Sequence, residues 1–414
     1  MSSPIIVQKY GGTSVGNAER IQLVARRVAR HWKAGNRIAV VVSAMSGETN
    51  RIVDLVKTIN PKASARSYDM AVSAGEQVTI GLLSAALEGE GINARPLLAH
   101  QLGIVTDFNH KRARIKYIET QTIQDCWDEN TIPVIAGFQG TTPNQDVTTL
   151  GRGGSDTSGV ALAAALKADL CEINTDVDGV YTADPRIVSD ARLVREMDYE
   201  SSLELAALGS KVLHFRCVEI GAKYGIPIVV RRTWDPDDGE STRIMNFTDE
   251  QLLESPSVTG VTLDHNVARV TVSGFKRPSF ILPDLFGALA DAAVNVDIIV
   301  HQRRPDASFQ AVGFTCHPDD VGNAIEAIHS LKSQEPYSDL VTRQELELAK
   351  VSVVGLGMRS HSGVAGRVFH VLSESGIDTL MISTSEIKIS IVVESSKAEE
   401  ATRALHRAFF TKED

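Results

Sequence analysis

The sequence predicts an α/β sandwich with a largely parallel sheet, followed by two smaller α+β modules. Three observations lead to this prediction. Over about the first 230 residues, short apolar runs alternate with helix-period segments, as in folds with parallel strands. A run rich in Asp, Pro and Gly at residues 234–240 then marks a boundary loop. Beyond it, residues 285–289 and 368–372 match each other at an offset of 83 positions.

Apolar periodicity places the elements of the first part. Buried strands are predicted at residues 5–7, 38–42, 132–136, 170–173 and 226–230. Helices are predicted where apolar residues recur at helical spacing, at Ile21, Val24, Ala25 and Val28, at Val78, Leu82 and Ala86, and in the Ala/Leu-rich segment 160–166. Ligands of such sheets bind outside the carboxyl ends of the strands, so the loops after the strands are the first candidates for a site.

The second part reads as a duplicated β-α-β-β module. Strands are predicted at residues 269–272, 296–300, 311–316, 351–354, 379–383 and 388–393, and helices at 285–293 and 364–373. An earlier strand around residues 258–261 could belong to either module. Two unrelated α+β pieces remain the alternative to a duplication.

Composition and charge exclude several classes of protein. The 414 residues include 42 Lys and Arg against 52 Asp and Glu, a net charge of −10 that disfavours general nucleic-acid binding. The four cysteines are scattered, which argues against a disulfide framework or a thiolate zinc site and fits a reducing cytosol. No signal peptide is recognisable at the N-terminus, and the longest apolar runs have strand length. We expect a soluble cytoplasmic protein with no membrane segment.

A glycine-rich turn after the first strand has the features of a phosphate site. Residues 9–14 read Lys-Tyr-Gly-Gly-Thr-Ser. Glycines let backbone N–H groups approach an anion, and Lys9 supplies a mobile positive charge. A plain glycine-rich turn is the alternative. The run matches neither the P-loop nor the protein-kinase motifs, so those two classes are disfavoured.

Three further motifs carry groups suited to amino-acid and nucleotide binding. Glu76 follows a glycine and could bind an ammonium group or merely favour a helix start. Arg152 lies among three glycines before a helix beginning near Ser155, which suits a two-pronged grip on a carboxylate. Residues 174–186 form a polar loop that suits a nucleotide, with an Asp/Gly turn pair as the alternative. The eleven histidines form no metal-binding motif, so no protein-ligated metal is predicted.

Taken in order, these motifs resemble those of the monofunctional bacterial aspartate kinases of the amino-acid kinase family. The resemblance spans essentially the whole chain and rests on residues 9–14, 73–76, 152–156 and 175–186 together with Lys211. It implies an amino-acid-kinase-type three-layer sandwich over residues 1–245. It also implies two ferredoxin-like ACT regulatory domains, at residues 255–340 and 341–414, whose strands could interleave.

The resemblance implies a role for individual residues. The catalytic residues would be Lys9, Asp156 and Lys211, and the ATP contacts Lys9, Tyr10, Gly11, Gly12, Ser43, Thr175, Asp176, Tyr181, Asp184, Arg186 and Lys211. The aspartate contacts would be Thr49, Glu76, Arg152, Gly153, Gly154 and Ser155. Effector contacts would come from Ser279, Gln302, Val364, Ala365 and Asp378.

The implied reaction transfers the γ-phosphoryl group of ATP to the side-chain carboxylate of L-aspartate. The product, 4-phospho-L-aspartate, begins the biosynthesis of lysine, threonine, methionine and diaminopimelate. A carboxylate is already ionised near neutral pH, so the reaction needs no general base. Catalysis is then positioning and charge neutralisation, for which lysines, glycine N–H donors and Mg²⁺ held mainly by phosphates and water are suited.

The resemblance further implies feedback inhibition by lysine, threonine or both through the ACT domains, and a homo-oligomer formed through those domains. Small sheets of this kind leave edge strands that can pair with another copy. Two departures could weaken inhibitor binding: residues 277–284 contain no glycine, and Asp378 stands where several relatives have Asn. A regulatory-only product could start near Met245, although a turn or buried methionine is the simpler interpretation.

Two other functions remain open. One is a carboxylate kinase of the same fold that acts on glutamate or N-acetylglutamate. The other is a catalytically silent amino-acid sensor. The 175–186 stretch and the paired C-terminal modules disfavour the first, and the intact set Lys9, Glu76, Arg152 and Lys211 disfavours the second.

Overall fold

The structure is a computed structural model that describes residues 3–210, 212–234, 239–248, 257–275, 278–303, 310–333, 337–359 and 363–411. Its contacts divide the chain into two compact units. The first contains Met1–Tyr181 and Arg192–Glu254, and the second contains Thr182–Ala191 and Ser255–Asp414. We call them the kinase unit and the regulatory unit.

The kinase unit alternates strands and helices along the chain. Its described elements are β1 (Ile5–Tyr10), α1 (Ala18–Lys33), β2 (Arg37–Val42), α2 (Glu48–Ile59), α3 (Ala65–Val72), α4 (Ala74–Gly89), β3 (Ala94–Leu97), α5 (Ala99–Leu102), β4 (Ile104–Thr106), β5 (Ile115–Ile118), α6 (Gln121–Asp128), β6 (Ile132–Ala136), β7 (Gln139–Thr141), β8 (Val147–Thr149), α7 (Gly154–Leu166), β9 (Leu170–Thr175), β10 (Glu196–Asp198), α8 (Tyr199–Ala207), α9 (Phe215–Tyr224), β11 (Ile228–Arg232) and β12 (Ser241–Met245).

An eight-stranded sheet forms the middle layer, in the order β10-β12-β11-β9-β1-β2-β6-β3. The strands from β11 to β3 are parallel, and β12 joins β11 in the antiparallel sense. Helices α1 and α4 pack over the core cluster on one face, while α7 lies against β1 on the other. The predicted three-layer sandwich with a mostly parallel sheet is confirmed. A separate four-stranded sheet, β5-β4-β7-β8, was not predicted.

The strand predictions hold closely, with one boundary displaced. The runs at residues 5–7, 38–42, 132–136 and 170–173 all lie within strands. The run at 226–230 is a strand only from Ile228, because the Ile226 N–H is bonded to the Gly221 carbonyl as helix α9 ends, and Pro227 has no N–H to donate.

The apolar residues predicted to pack helix α4 against the core are wrong for Val78 and Leu82 and right for Ala86, which contacts the core. Val78 and Leu82 are 54% and 45% exposed, whereas Ile80, Leu83 and Leu87 are buried in the core. The helix is apolar on more than one side, so periodicity alone did not select the packed face. By length and composition the helical stretch Ala65–Gly89 could cross a membrane, but half of its most apolar window is buried inside the protein.

The regulatory unit contains two α+β halves. Its described elements are β13 (Gly260–Ser273), α10 (Pro278–Asp291), β14 (Ile299–Arg303), β15 (Gln310–Cys316), α11 (Val321–Lys332), β16 (Val341–Val354), α12 (Gly363–Glu374), β17 (Met381–Thr384), β18 (Lys388–Glu394) and α13 (Ala398–Phe410). They form one six-stranded antiparallel sheet in the order β14-β15-β13-β16-β18-β17.

Two long central strands run through both halves. The first part of β13 pairs with the end of β16, and the second part of β13 pairs with β15 and with the start of β16. The register shifts between Asp264 and Val267, where a bulge separates the two parts. One core cluster lies under α10 and α11, and another lies under α12 and α13.

Several boundaries predicted for this unit are wrong. Strands β13 and β16 begin at Gly260 and Val341, well before the predicted starts at residues 269 and 351, because each is one long strand that runs through both halves. Helix α10 begins at Pro278, seven residues before the predicted start. Pro283 lies inside it, yet Ile281 and Leu285 on either side are fully buried core residues, so packing overrides the weak helix signal. Strand β14 begins at Ile299, three residues later than predicted.

A ten-residue excursion from the kinase sequence belongs to the regulatory unit. The chain leaves the kinase unit after Tyr181 and returns at Arg192. The Thr182 carbonyl accepts the Val261 N–H at 2.7 Å, and the Thr182 hydroxyl lies 2.8 Å from His406 Nε2 on α13. Both side chains are buried, so the start of the excursion is built into the regulatory core.

Candidate active site

Three strand-end loops meet at the carboxyl edge of the kinase sheet. The Ser43 N–H after β2 donates to the Tyr10 carbonyl at 3.1 Å, and the Ser46 N–H donates to the Gly12 carbonyl at 3.1 Å. The Gly11 N–H donates to the Asn174 carbonyl at the end of β9, also at 3.1 Å. The predicted glycine turn is therefore joined to the loops that follow its two neighbouring strands.

Lys9 and Asp156 form an ion pair beneath this turn. Lys9 lies near the end of β1, and Asp156 lies in the first turn of α7. The Lys9 Nζ atom is 2.5 Å from Asp156 Oδ1, and the two side chains are 8% and 15% exposed. The pair holds a cation at the edge of the sheet in an orientation that a solvated lysine would not keep.

Glu76 is a buried carboxylate in which only one of the two oxygens has a hydrogen-bond partner among the described residues. It lies in the first turn of α4 and accepts the Ala44 N–H through Oε1 at 3.0 Å, while Oε2 has no hydrogen-bond partner among the described residues. Burial raises the pKa of Glu76 to about 7, although hydrogen bonds from the Ala44 and Glu76 N–H groups act in the opposite direction. An ammonium group placed against Oε2 would satisfy both the charge and the missing hydrogen bond.

Two left-handed glycines hold Arg152 between them. Gly151 and Gly153 have φ of 80° and 66°, a region that only glycine occupies at little cost. A Cβ atom on Gly153 would come within 2.2 Å of the His214 ring, so this glycine is required by contact as well. Burial lowers the pKa of His214, which keeps the ring neutral beside the loop. Ser155 follows in the first turn of α7, against Gly137 after β6.

The loop after β9 carries polar groups on the other side of the Lys9 strand. Thr175 ends β9, and its hydroxyl donates to Asp176 at 3.2 Å. The Tyr181 hydroxyl donates to Asp178 at 2.9 Å, and Arg232 at the end of β11 donates to the same carboxylate at 3.0 Å. Burial, and then the Asp178 carboxylate, raise the pKa of the Tyr181 hydroxyl.

Several predicted site residues belong to the regulatory unit or lie outside the described part of the chain. Asp184 and Arg186 belong to the regulatory unit, where the Arg186 guanidinium binds the Asp184 carboxylate through Nη2 at 2.6 Å. Lys211 and the Ser279 side chain lie outside the described residues. Their roles therefore stay predictions.

The predicted effector contacts are spread over both halves of the regulatory unit. Gln302 lies on edge strand β14, Val364 and Ala365 lie in the first turn of α12, and Asp378 follows that helix. Val364 is buried, whereas the other three side chains are exposed. Their effector roles also stay predictions.

Sequence reasoning missed three residues of this region. Asp178 lies within the motif but was given no role, and Arg232 was not singled out. Arg232 ends β11 next to β9, two residues beyond the end of the strand predicted at 226–230, and its place just after that strand was the available signal. Phe138 after β6 has a left-handed φ of 66° and lies against Gly154, where a Cβ atom would approach its ring to 2.7 Å. Such strain in a non-glycine residue is typical of functional sites.

Buried thiols near the ion pair are not candidate nucleophiles. Cys171 on β9 and Cys217 on α9 are fully buried, and burial raises the pKa of both thiols. Each therefore stays protonated at neutral pH. Among the described residues, no group of three or more His, Cys, Asp or Glu side chains could hold a metal ion.

A model of the amino acid kinase family matches residues 4–232 of the chain, and a model of the ACT domain matches residues 351–409. The chain is 45% identical to an aspartokinase of Pseudomonas aeruginosa and 44% identical to an aspartate kinase of Stutzerimonas stutzeri, in each case over 405 residues that cover 98% of this chain and 97% of the relative.

The fold agrees with a solved relative over nearly its full length. Escherichia coli aspartokinase III, crystallised in complex with aspartate and ADP, superposes with a TM-score of 0.81 at 25% identity, covering 98% of this chain and 100% of that one. Sequence and fold lead to the same assignment: the chain belongs to the amino acid kinase family and, within it, to the aspartate kinases with ACT domains.

Proposed function

We propose that the protein transfers the γ-phosphoryl group of ATP to the side-chain carboxylate of L-aspartate, with the residue roles predicted above. The observation that carries this proposal is the pairing of Lys9 with Asp156 at the edge where the glycine turn meets the loop after β2. It provides a fixed cation among backbone N–H donors, which is what a transferring phosphoryl group requires.

The two ends of aspartate have complementary partners. The unpaired Glu76 oxygen would take the ammonium group, and Arg152 would take the α-carboxylate. A single buried carboxylate favours a substrate with a free ammonium group, so N-acetylglutamate is disfavoured. Discrimination between aspartate and glutamate would follow from the fixed distance between these groups and the phosphoryl site.

The chemical step needs no proton transfer. An oxygen of the ionised side-chain carboxylate attacks the γ-phosphorus, the bond from that phosphorus to the β,γ-bridging oxygen breaks, and ADP leaves with the electron pair. Lys9 and the N–H groups of the glycine turn would stabilise the charge on the transferred group, and Asp156 would hold Lys9 in place.

Magnesium would enter this site with the nucleotide. The described residues offer no cage of acidic or histidine ligands, and Mg²⁺ prefers phosphate oxygens and water over a protein cage. When bound, it would neutralise phosphate charge.

The test is acyl-phosphate formation trapped as the hydroxamate, with ATP and Mg²⁺, using aspartate, glutamate and N-acetylglutamate in parallel. Turnover on aspartate in clear preference to the others is the expected result. Preference for glutamate or N-acetylglutamate would replace the substrate assignment. Absence of turnover from folded protein on all three would favour the silent amino-acid sensor.

The regulatory unit would supply feedback control. We assign it two ACT domains, 255–340 and 341–414, that share β13 and β16 and bind lysine, threonine or both. Oligomerisation would use edge strands β14 and β17, and the enzyme would act in the cytoplasm. A saturating lysine–threonine mixture should suppress turnover, and unchanged rates with both present would remove the regulatory assignment.

A further inference from the structure

Asp69 is a fully buried carboxylate for which the proposed reaction has no direct use. It lies on α3 and is 0% exposed. It accepts the Thr149 hydroxyl at 2.7 Å, and it also binds the His110 Nδ1 atom at 2.8 Å and the Lys111 N–H at 3.0 Å. Hydrogen bonds offset the cost of burying a carboxylate, and the bonds of Asp69 join two separate stretches of chain.

Both stretches lead to the loop that carries Arg152. Thr149 is the last residue of β8, two positions before Gly151. The Lys111 carbonyl lies against Gly151 so closely that a Cβ atom there would be 2.9 Å away. Lys111 also has a left-handed φ of 67°, which is unfavourable for a residue with a side chain. The hydrogen bond from its N–H to Asp69 offsets that strain and fixes the carbonyl against Gly151.

Arg216 on α9 binds the backbone of the same two stretches of chain. Its Nη1 atom donates to the Leu150 carbonyl at 2.5 Å, and its Nη2 atom donates to the Ala113 carbonyl at 2.9 Å. The Ala113 N–H in turn donates to the Thr149 carbonyl at 3.0 Å. The backbone that precedes Arg152 is therefore held by two side chains, the buried Asp69 and the partly buried Arg216.

We propose that Asp69 is a positioning residue for aspartate binding, acting through Lys111 and Thr149 on the Gly151–Gly153 turn to orient the Arg152 guanidinium. Asp69 itself touches no substrate. The proposal rests on the assignment of Arg152 to the α-carboxylate of aspartate made above, and it goes beyond that assignment by naming what orients the arginine.

The primary test compares steady-state kinetics of the wild-type enzyme and the Asp69→Asn and Thr149→Val variants. Asn keeps the shape but not the charge, and Val removes one hydrogen bond while keeping the volume. We expect the KM for aspartate to rise about tenfold in Asp69→Asn and less in Thr149→Val. The kcat at saturating aspartate and the KM for ATP should stay within about twofold, because the phosphoryl side is untouched.

Asp198 provides a matched control. It is another buried carboxylate of the kinase unit, and it caps α8 by accepting the Ser201 N–H at 2.8 Å. Asp198→Ala removes this cap, so it should lower the melting temperature without raising the KM for aspartate. Equal rises in the KM for aspartate in Asp198→Ala and Asp69→Asn would mean a general loss of stability and would overturn the positioning role.

A rescue experiment separates positioning from simple structural damage. Glycine adopts the Lys111 conformation without strain, so Lys111→Gly in the Asp69→Asn background should recover part of the lost aspartate affinity. No recovery, or an unchanged KM in Asp69→Asn alone, would overturn the proposal. Arg152→Ala is measured alongside. If it leaves the KM for aspartate unchanged, the assignment of Arg152 to the α-carboxylate fails. If Arg152→Ala raises this KM and Asp69→Asn does not, only the Asp69 proposal is refuted.

Discussion

Lys9 Nζ lies 2.5 Å from Asp156 Oδ1, and the two residues approach from the end of β1 and the start of α7. The Lys9 backbone is fixed by parallel pairing with both β2 and β9, so the ammonium group has little freedom except through its own side chain. Lys9 therefore holds a positive charge at the carboxyl edge of the sheet, in a position that depends on the Asp156 carboxylate.

Removing the lysine should abolish turnover and should also destabilise the protein. Lys9→Ala is expected to lower kcat by about 10³-fold or more, since it deletes the charge that we propose faces the transferred group. It leaves Asp156 without its cation, and breaking a buried pair costs about 3 kcal/mol of unfolding free energy. Hydroxamate assays and urea unfolding measure the two effects.

A double variant separates those effects. Lys9→Ala combined with Asp156→Asn should regain much of the lost stability, because no unpaired charge remains, but it should stay inactive. Activity above the Lys9→Ala level in the double variant would contradict the assigned role of Lys9.

Arg152→Ala should act on aspartate binding and not on the nucleotide. The loss of charge-assisted hydrogen bonds is expected to raise the KM for aspartate about 10- to 100-fold. Arg152→Lys should retain part of the binding, because it keeps the charge but loses the planar fork. Initial rates over a grid of aspartate and ATP concentrations measure both, and a change confined to the KM for ATP would contradict the assignment.

The pH dependence of aspartate binding should follow Glu76. Burial raises the pKa of this carboxyl to about 7, so in the free enzyme it becomes neutral as pH falls below that value. We expect the KM for aspartate to rise between pH 8 and pH 6, because a neutral carboxyl attracts an ammonium group weakly. Glu76→Gln should have a raised KM that changes little over this range, and a wild-type slope persisting in this variant would assign the titration elsewhere.

The same substitution should stabilise the protein, but only at higher pH. The pKa of Glu76 is higher in the folded protein than the ordinary value of 4.5, so the unfolded carboxyl ionises first as pH rises. Stability is therefore lost between about pH 4.5 and 7, and above that range the loss amounts to about 3 kcal/mol. Glu76→Gln removes this penalty, and its amide oxygen can still accept the Ala44 N–H. Its melting temperature should exceed that of the wild type at pH 8 but not at pH 4.5.

The contact between Thr182 and His406 should be visible as energetic coupling. The Thr182 hydroxyl and His406 Nε2 are 2.8 Å apart and buried, and the His406 ring stacks on Phe410 with centroids 4.7 Å apart. Thr182→Val and His406→Gln should each destabilise the protein by about 1 kcal/mol. In the double variant, the loss of unfolding free energy should be smaller than the sum of the two single losses, as measured by denaturant unfolding. A loss equal to that sum would mean that the hydrogen bond contributes nothing.

Much of the fold could be predicted because the central strands are short, nearly continuous apolar runs in the sequence. Residues 38–42 and 132–136 are buried on both faces of a parallel sheet, so apolar runs identify them directly. The small sheet of β4, β5, β7 and β8 has strands of three or four residues, too short for a periodic signal. In helix α4 the apolar residues extend around the helix, so spacing identified the helix but not its packed face.

The candidate site could be predicted from the sequence where a charged residue lies close to glycines, and not where a residue acts through the backbone of distant residues. Lys9, Glu76 and Arg152 are charged residues beside glycines, a combination that local sequence displays. Asp69 and Arg216 bind carbonyls, N–H groups and a hydroxyl of residues far away in the sequence. Nothing next to either residue in the chain indicates these partners, which only the folded topology brings together.

The excursion at Thr182–Ala191 alters how the two units are joined covalently. The chain passes from one unit to the other three times, after Tyr181, after Ala191 and after Glu254, instead of once through a single linker. A fragment beginning near Met245 would lack the acceptor of the Val261 N–H and the hydroxyl beside His406. Such a fragment would have to find replacements for both, and supplying a peptide of residues 182–191 in trans would be the direct means of restoring them.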